Sequence, residues 1–129
     1  MKRVLIADDS RMARMFVRQC LEIAGLKGWE FKEATQGEEA LKMLKAESFD
    51  LLVTDLNMPV LDGARLLRFV RASPKLAEVQ VMVVSSAGNP AREKELLEAG
   101  AFAVLSKPVS PAALARALIP LLSSGGHTS

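Results

Sequence analysis

The chain is poor in cysteine and histidine and has no long apolar run, and each shortage excludes a class of protein. The single cysteine, Cys20, cannot form a disulfide within the chain, and with no signal-peptide pattern at the N-terminus it predicts a reduced, cytoplasmic protein. The one histidine, His127, has no ligand partner near it in the sequence, so a metal role is not expected. The longest apolar runs are of strand length, well short of the roughly 20 residues that span a bilayer.

Length, composition and charge indicate an ordinary globular domain. The 129 residues suit one domain with a single core, and the chain is 50% apolar and 25% charged. A net charge of +2 is too small to indicate nucleic-acid binding. We expect the domain to occupy residues 1–122 and the small, polar, glycine-rich stretch 123–129 to be a disordered tail.

Short apolar runs alternate with helical patterns along the chain. The predicted strands cover residues 4–7, 29–34, 51–54, 79–84 and 102–105. The predicted helices cover residues 10–25, 39–45, 63–72, 90–99 and 111–122. Apolar strands that alternate with helices form parallel sheets covered on both faces, so the pattern predicts a doubly wound α/β fold with a five-stranded parallel sheet.

Helical spacing also predicts which side chains enter the core. The apolar face of the first predicted helix comprises Ala13, Phe16, Cys20 and either Ile23 or Ala24. Its opposite face carries Arg11, Arg14 and Arg18. The third predicted helix has a similar stripe that we expect to be solvated: Arg65, Arg68 and Arg71. Residues 35–38 predict a capping box before the second helix, from Thr35 to Glu38.

Polar residues follow four of the predicted strands. The stretch 51–59 runs from a buried strand directly into Asp55, and Asn57 lies two residues further on. The other loops supply Asp8 and Asp9 after the first strand, Ser85 after the fourth and Lys107 after the fifth. All strand-to-helix loops of a parallel sheet emerge at its carboxyl edge, where ligands bind in open α/β sheets. We therefore expect three carboxylates, a hydroxyl and an amine at one rim.

Such a group of side chains suits phosphoryl transfer. Crowded carboxylates repel one another by on the order of 4 kcal/mol per pair at an effective dielectric constant of roughly 20, so they hold protons or bind a cation. Ligands made only of oxygen favour Mg²⁺, which bridges carboxylates to phosphate. Asp55 could then act as a nucleophile toward phosphorus, with Lys107 as a second cation and Ser85 as a hydrogen-bond donor.

Each of these residues taken alone also has a structural explanation. An acid after a strand is commonly a helix cap, which is the favoured interpretation for Asp62, while Asp8 and Asp9 fit a cap as well as a site. Ser85 alone is most often a turn residue, and Lys107 alone is most often solvated. Because all of the candidate residues fall at strand ends, a shared site is favoured over separate structural roles.

The same residues resemble one family. The pair Asp8-Asp9, the run 55–59 with Asp62-Gly63, Ser85 and the pair Lys107-Pro108 are similar to the receiver domains of two-component response regulators, in particular the single-domain, CheY-like group. The resemblance covers about residues 2–122. It implies a flavodoxin-like fold with strand order 2-1-3-4-5.

The resemblance implies roles for the acidic residues. Asp55 would be the phosphoacceptor, and Mg²⁺ would be held by Asp9, Asp55 and the backbone carbonyl of Asn57, with Asp8 acting through water. The path of the water that attacks the aspartyl phosphate would pass Asn57 and Ala87, and Ala87 offers no polar group.

The resemblance also implies a switch. Lys107 would pair with Asp55 or its phosphate, Ser85 would turn inward to bond the phosphate, and Pro108 would follow a cis peptide bond. The family often has an aromatic residue three positions before the lysine, where this chain has Val104. Phe102, two residues earlier, is expected to face the same side of the sheet as Val104.

The implied phosphoryl donor is a histidine kinase or a histidine phosphotransfer protein. It would dock on the arginine stripe of the first helix. Since no output domain follows Leu122, we expect the output to be phosphorylation-dependent binding of a downstream effector protein, which the sequence does not identify. No nucleic-acid or membrane partner is expected, and we expect a monomer that could dimerise on phosphorylation.

Four other functions fit the sequence less well. Hydrolases with an aspartyl-phosphate intermediate place a second aspartate two residues after the nucleophile, where this chain has Asn57. A DNA-binding regulator would need a helix-turn-helix segment, and a nucleotide-binding protein would need a glycine-rich phosphate loop. A receiver that never takes phosphate is disfavoured because the acids, Ser85 and Lys107 are all present.

Overall fold

The computed structural model describes residues 2–86 and 89–127, with side chains described as far as residue 122. Five strands form one sheet: β1 Arg3–Ala7, β2 Glu30–Ala34, β3 Leu51–Asp55, β4 Gln80–Ser85 and β5 Ala103–Ser106. All four strand pairings are parallel, and the order across the sheet is β2-β1-β3-β4-β5. The predicted parallel sheet and its strand order are confirmed.

Five α-helices connect and follow the strands: α1 Arg11–Leu21, α2 Gly37–Ala46, α3 Gly63–Ala72, α4 Pro90–Glu98 and α5 Pro111–His127. A π-helical turn, Glu22–Leu26, ends α1, and Gly25 within it adopts a φ of +129° that favours glycine. A 3₁₀ turn, Pro74–Leu76, follows α3. Within the described ranges, none of the helices has both the length and the apolar character that crossing a membrane requires.

The helices cover both faces of the sheet and form two cores. On one face, alternate residues of the strands pack with α2, α3 and α4, and the buried side chains include Leu52, Val83, Leu44, Leu66 and Leu96. On the other face they pack with α1 and α5, and the buried side chains include Ile6, Val53, Leu21, Leu114 and Leu118. All five residues of the central strand β3 are buried. The fold is therefore doubly wound, as predicted.

The buried face of α1 differs from the prediction. Val17, Cys20 and Leu21 are buried, whereas Phe16 is 45% exposed and Ile23 is 72% exposed. The buried stripe follows the spacing i, i+3 and i+4 through smaller side chains, and Phe16 lies at its edge. The prediction that Phe16 belongs to the core is wrong, and the prediction that Cys20 is a core residue is confirmed.

The helix ends are set by specific side chains. Ser10 caps α1, and its hydroxyl accepts the backbone N–H of Ala13. The capping box predicted from Thr35 to Glu38 is wrong, because Gln36 is the N-cap of α2 and its side chain accepts the backbone N–H of Glu38. Glu39, and not Glu38, accepts both the backbone N–H and the hydroxyl of Thr35, at 2.6 and 2.9 Å.

The last helix is longer than predicted. Helix α5 continues through Pro120 to His127, so the predicted helix end at about residue 122 is wrong, and part of the stretch predicted as a disordered tail is helical. Residues 128–129 and Ala87 lie outside the described residues, so the expectations for them stay predictions.

Arg71 contradicts the solvated stripe predicted for α3. Arg65 and Arg68 are exposed, as predicted. The guanidinium of Arg71 is half-buried and donates hydrogen bonds to the backbone carbonyls of Ala77 and Val79. Through these two terminal nitrogens it ties the end of α3 to the segment that leads into β4.

Candidate functional site

The first loop of the site presents two aspartates at the carboxyl end of β1. Asp8 is 3% exposed, and its neighbour Asp9 is exposed. The backbone N–H of Asp8 donates to the carbonyl of Ala34 on β2, and its carboxylate accepts the backbone N–H of Ser10 at 2.9 Å. These two bonds fix the chain as it turns from β1 into α1.

Asp55 is the last residue of β3 and is only 7% exposed. The next residue, Leu56, donates its N–H to the carbonyl of Val84 and accepts the N–H of Gly63, so the loop folds back over the end of the strand. Asp62 caps α3 by accepting the N–H of Arg65 at 2.8 Å, which confirms its interpretation as a cap.

The carboxylates of Asp8, Asp9 and Asp55 form one cluster. One oxygen from each lies within 4.8 Å of the others. A donor set of three carboxylates and no softer ligand fits Mg²⁺, so the cluster could hold one such ion. Asn57 lies two residues beyond Asp55 with an exposed side chain, and its assignment as a backbone ligand stays a prediction.

Lys107 directly follows β5, and its side chain extends into the acidic cluster. Its Nζ lies 3.1 Å from Oδ1 of Asp55 and 3.4 Å from Oδ2 of Asp8. Its backbone N–H donates to the carbonyl of Ser85, which is itself 6% exposed at the end of β4. The peptide bond between Lys107 and Pro108 is cis, as the resemblance implies.

Burial and charge act in opposite directions on the two central groups. Burial, helped by the negative charge of Asp8, raises the pKa of Asp55 although Lys107 opposes the change. Burial alone would lower the pKa of Lys107, but the hydrogen bond and charge of Asp55, together with Asp8, outweigh it and raise that pKa. Three ionised carboxylates beside one ammonium leave a net charge of two negative units, which one divalent cation would neutralise.

One predicted orientation in β5 is wrong. Val104 packs with the core formed by α2, α3 and α4, whereas Phe102 packs with the opposite core beside α1 and α5. Phe102 precedes the first residue of the strand, so strict alternation does not extend to it. Beside Val104, a cavity of about 190 Å³ opens between α4 and β5, with Leu96 and Ser85 among its lining residues.

Sequence reasoning missed the place of Arg14. The prediction of an exposed arginine stripe on α1 is wrong for this residue, whose side chain is 12% exposed. It donates to the backbone carbonyl of Asp8 and to the carboxylate of Glu33. A periodic pattern cannot predict these bonds, because one acceptor is the backbone carbonyl of Asp8 and the other, Glu33, lies on strand β2.

Comparisons with known proteins identify the family of this chain. A sequence model of the response regulator receiver domain matches residues 4–119. The chemotaxis protein CheY-3 of Vibrio cholerae serotype O1 is 34% identical over 112 residues, which cover 87% of this chain and 85% of that protein. The gliding motility regulatory protein of Myxococcus xanthus is 37% identical over 105 residues, which cover 81% of this chain but only 13% of that protein.

Solved structures show the same fold. The chemotaxis protein CheY4 of Vibrio cholerae superposes with a TM-score of 0.80 at 31% identity, covering 93% of this chain and 98% of that one. A putative response regulator from Chloroflexus aurantiacus gives a TM-score of 0.84 at 29% identity, covering 95% and 98% of the two chains. This chain belongs to the family of response regulator receiver domains, which act in phosphorelay signalling by phosphorylation on an aspartate.

Proposed function

We propose that Asp55 accepts a phosphoryl group from a phosphohistidine in a Mg²⁺-dependent transfer, and that the phosphorylated domain binds a different partner from the unmodified one. The observation that carries this proposal is the position of the Lys107 ammonium against the carboxylates of Asp55 and Asp8. A lysine in this position balances charge on a phosphoryl group attached to Asp55, and it leaves two carboxylate charges for a divalent metal.

Each residue then has a distinct task. An oxygen of Asp55 attacks phosphorus as the bond from phosphorus to the histidine nitrogen breaks, and the electron pair of that bond stays on the imidazole. Asp9, Asp55 and the carbonyl of Asn57 would hold Mg²⁺, with Asp8 acting through water. When bound, the metal neutralises charge on the phosphoryl oxygens. Ser85 would donate its hydroxyl to one of those oxygens.

The phosphohistidine donor, a histidine kinase or histidine phosphotransfer protein, would dock on α1. Met12, Met15 and Phe16 are 80%, 50% and 45% exposed, so this helix presents apolar side chains in addition to the arginine stripe predicted as the docking surface. Beside them, a groove of about 400 Å³ runs between α1 and the loop after β5 and reaches Lys107. Because Lys107 borders both the groove and Asp55, a donor seated there would bring its phosphohistidine to the acceptor.

The output surface would lie at the β5 edge of the sheet, on α4, β5 and α5. Leu97 of α4 and Ile119 of α5 are 44% and 58% exposed. Phosphorylation near Ser85 would alter this surface, since Ser85 also borders the cavity between α4 and β5. We further propose a cytoplasmic location, no membrane or nucleic-acid partner, and a monomer that could dimerise when phosphorylated.

Acetyl phosphate with and without MgCl₂ tests whether Asp55 is the phosphoacceptor and whether its phosphorylation requires Mg²⁺. We expect the intact mass of the protein to increase by one phosphoryl group in the presence of Mg²⁺ and to stay unchanged with EDTA. Asp55→Asn should abolish the increase, and Lys107→Met should slow it. Asp62→Asn is the matched control, because Asp62 lies in the same loop but caps α3, and asparagine caps as well as aspartate does.

Two results would contradict the proposal. Equal labelling of Asp55→Asn and the unmodified sequence would place the phosphoryl group elsewhere. Repeated turnover of simple phosphomonoesters would instead identify a hydrolase.

A further inference from the structure

Arg14 makes two separate bonds with its guanidinium. One terminal nitrogen donates to the backbone carbonyl of Asp8 at 2.8 Å, and Nε lies 2.6 Å from Oε1 of Glu33. The side chain is 12% exposed, and that of Glu33 is 36% exposed. Hydrogen bonds between charged groups are roughly twice as strong as neutral ones, so this contact is a substantial local restraint.

The restraint acts on the loop that carries two of the three clustered acids. The carbonyl that Arg14 binds is that of Asp8, and the next residue is Asp9. Glu33 lies on β2 opposite Ile6 of β1, so it is anchored in the sheet. Arg14 itself lies in the first turn of α1, where its backbone N–H donates to the carbonyl of Ser10. The side chain therefore links three elements around one loop: the end of β1, the strand β2 and the start of α1.

We infer that Arg14 is a positioning residue for the metal site and that, held by Glu33, it sets the distance of the Asp8 and Asp9 carboxylates from Asp55. This inference rests on the proposed function, because the acids are positioned for the cation required there. Arginine suits the task because its fork offers separate nitrogens to two acceptors, whereas lysine offers one. Residues that orient metal ligands typically change metal affinity by about 10- to 100-fold when mutated.

The positive charge of Arg14 should affect Mg²⁺ affinity in the opposite direction to its positioning role. A positive charge beside an acidic cluster disfavours a second cation, so removal of that charge alone would tighten Mg²⁺ binding. A positioning role predicts weaker binding after the same change. The direction of the change in affinity therefore separates the two roles.

Arg18 provides a matched control on the same helix. Its side chain is 46% exposed, pairs with Glu22 at 3.8 Å and lies over the ring of Phe31. Arg18→Gln thus removes one arginine charge from α1 without removing the bonds to Asp8 and Glu33 that belong to Arg14.

The experiment is a calorimetric titration of MgCl₂ into the full chain and its variants, with circular dichroism melts as a check on folding. We expect Arg14→Gln to raise the Kd for Mg²⁺ by about 10-fold, and Arg14→Lys and Glu33→Gln to give smaller increases. Arg18→Gln should stay within about 2-fold of the unmodified sequence. The amide resonance of Ser10, whose N–H donates to the Asp8 carboxylate, should shift in Arg14→Gln and not in Arg18→Gln.

A kinetic readout completes the test. In the acetyl phosphate reaction, the Mg²⁺ concentration for half-maximal rate should rise in Arg14→Gln, while the rate at saturating Mg²⁺ should return to that of the unmodified sequence. An unchanged or tighter Kd in Arg14→Gln, or a loss of equal size in Arg18→Gln, overturns the inference. If Arg14→Gln does not fold, Arg14→Lys and Glu33→Gln take its place: a raised Kd for Mg²⁺ in these variants supports the inference, and an unchanged or lower Kd overturns it.

The proposed function and this inference fail in different ways. An unmodified chain that neither binds Mg²⁺ nor takes a phosphoryl group overturns the proposed function. An unmodified chain that does both, with Arg14→Gln indistinguishable from it, overturns the positioning role alone.

Discussion

Gly63, the first residue of α3, packs directly on the backbone of Asp55. A Cβ atom at position 63 would lie 2.3 Å from the backbone oxygen of Asp55 and 2.9 Å from the Cα of Leu56, both closer than real Cβ atoms approach. The N–H of Gly63 also donates to the carbonyl of Leu56 at 2.8 Å. The start of α3 is thus seated against the residue that we propose as the phosphoacceptor, and only glycine permits this approach.

Gly63→Ala should therefore both destabilise the fold and impair phosphorylation. Because the added methyl group meets backbone rather than a flexible side chain, we expect a loss of about 2–3 kcal/mol in the free energy of unfolding, measured by urea denaturation. Labelling of Asp55 by acetyl phosphate should slow at temperatures where the variant is still folded.

Gly28→Ala is the comparison for Gly63→Ala. Gly28 has a φ of +99°, and apart from its two chain neighbours no described residue has an atom within 4 Å of the position of its Cβ, so alanine there meets only backbone strain. We expect a loss of about 1–2 kcal/mol and unchanged labelling. Equal labelling rates in the two variants would contradict the contact between Gly63 and Asp55.

Val60 carries backbone strain in the loop between β3 and α3. Its φ is +70°, and Leu61 donates its N–H to the carbonyl of Pro59 at 2.7 Å, which closes a three-residue γ-turn. A β-branched residue rarely adopts this conformation. Because the side chain of Val60 is 70% exposed, packing contacts offset little of the strain energy.

Val60→Gly should stabilise the protein. Release of strain of about 1–3 kcal/mol exceeds the extra entropy of glycine in the unfolded chain, about 0.5–1 kcal/mol, so we expect a net gain of about 1 kcal/mol by urea denaturation. Val60→Ala keeps the Cβ and should gain less. A Val60→Gly variant less stable than the unmodified sequence would show that the turn is not strained.

Arg71 should matter for stability although it lies on a helix face rich in exposed arginines. Arg71→Met removes the donors to the carbonyls of Ala77 and Val79, and we expect it to cost about 2 kcal/mol in the free energy of unfolding. Arg68→Met, on the exposed face of the same helix, should change that free energy by less than about 0.5 kcal/mol. Similar losses in both variants would contradict the specific role of Arg71.

The sheet, and the convergence of the site residues at one of its edges, can both be predicted from the sequence. Apolar runs identify the strands, and in a parallel sheet the residues after each strand must emerge at the same edge. Asp8, Asp55 and Lys107 are therefore brought together by topology, without any contact between them being visible in the sequence.

Long side chains that leave their own helix face are not predictable in this way. Periodicity places Arg14 and Arg71 on polar faces, but it cannot reveal that each finds backbone carbonyls on a neighbouring segment. The same limit applies to Phe16, which helical spacing and apolar character placed in the core and which is 45% exposed in the structure. In each case the result depends on the angle at which one element packs on another.

The burial of Asp55 should make the ionised form of its carboxyl group unfavourable for folding. Burial, together with the charge of Asp8, raises the pKa of Asp55 above its ordinary value of 3.8, although Lys107 opposes the change. The folded state thus holds the proton of Asp55 more tightly than the unfolded state does. The stability that this proton contributes is fully present below the unfolded pKa and is lost as the pH rises through the folded pKa.

Asp55→Asn should therefore be more stable than the unmodified sequence at neutral pH in EDTA. We expect a difference of about 1 kcal/mol in the free energy of unfolding, which should vanish as the pH falls below the ordinary aspartate pKa of 3.8. Mg²⁺ should reverse the order, because a ligand at 100 times its Kd stabilises the folded state by about 2.7 kcal/mol and the variant lacks one of the proposed ligands. Asp62→Asn, whose side chain caps α3 outside the cluster, should respond to Mg²⁺ as the unmodified sequence does. A lower stability of Asp55→Asn in EDTA at neutral pH would contradict this prediction. It would mean that Lys107 fully compensates for the burial of Asp55, and that the excess negative charge of the cluster does not lower the free energy of unfolding.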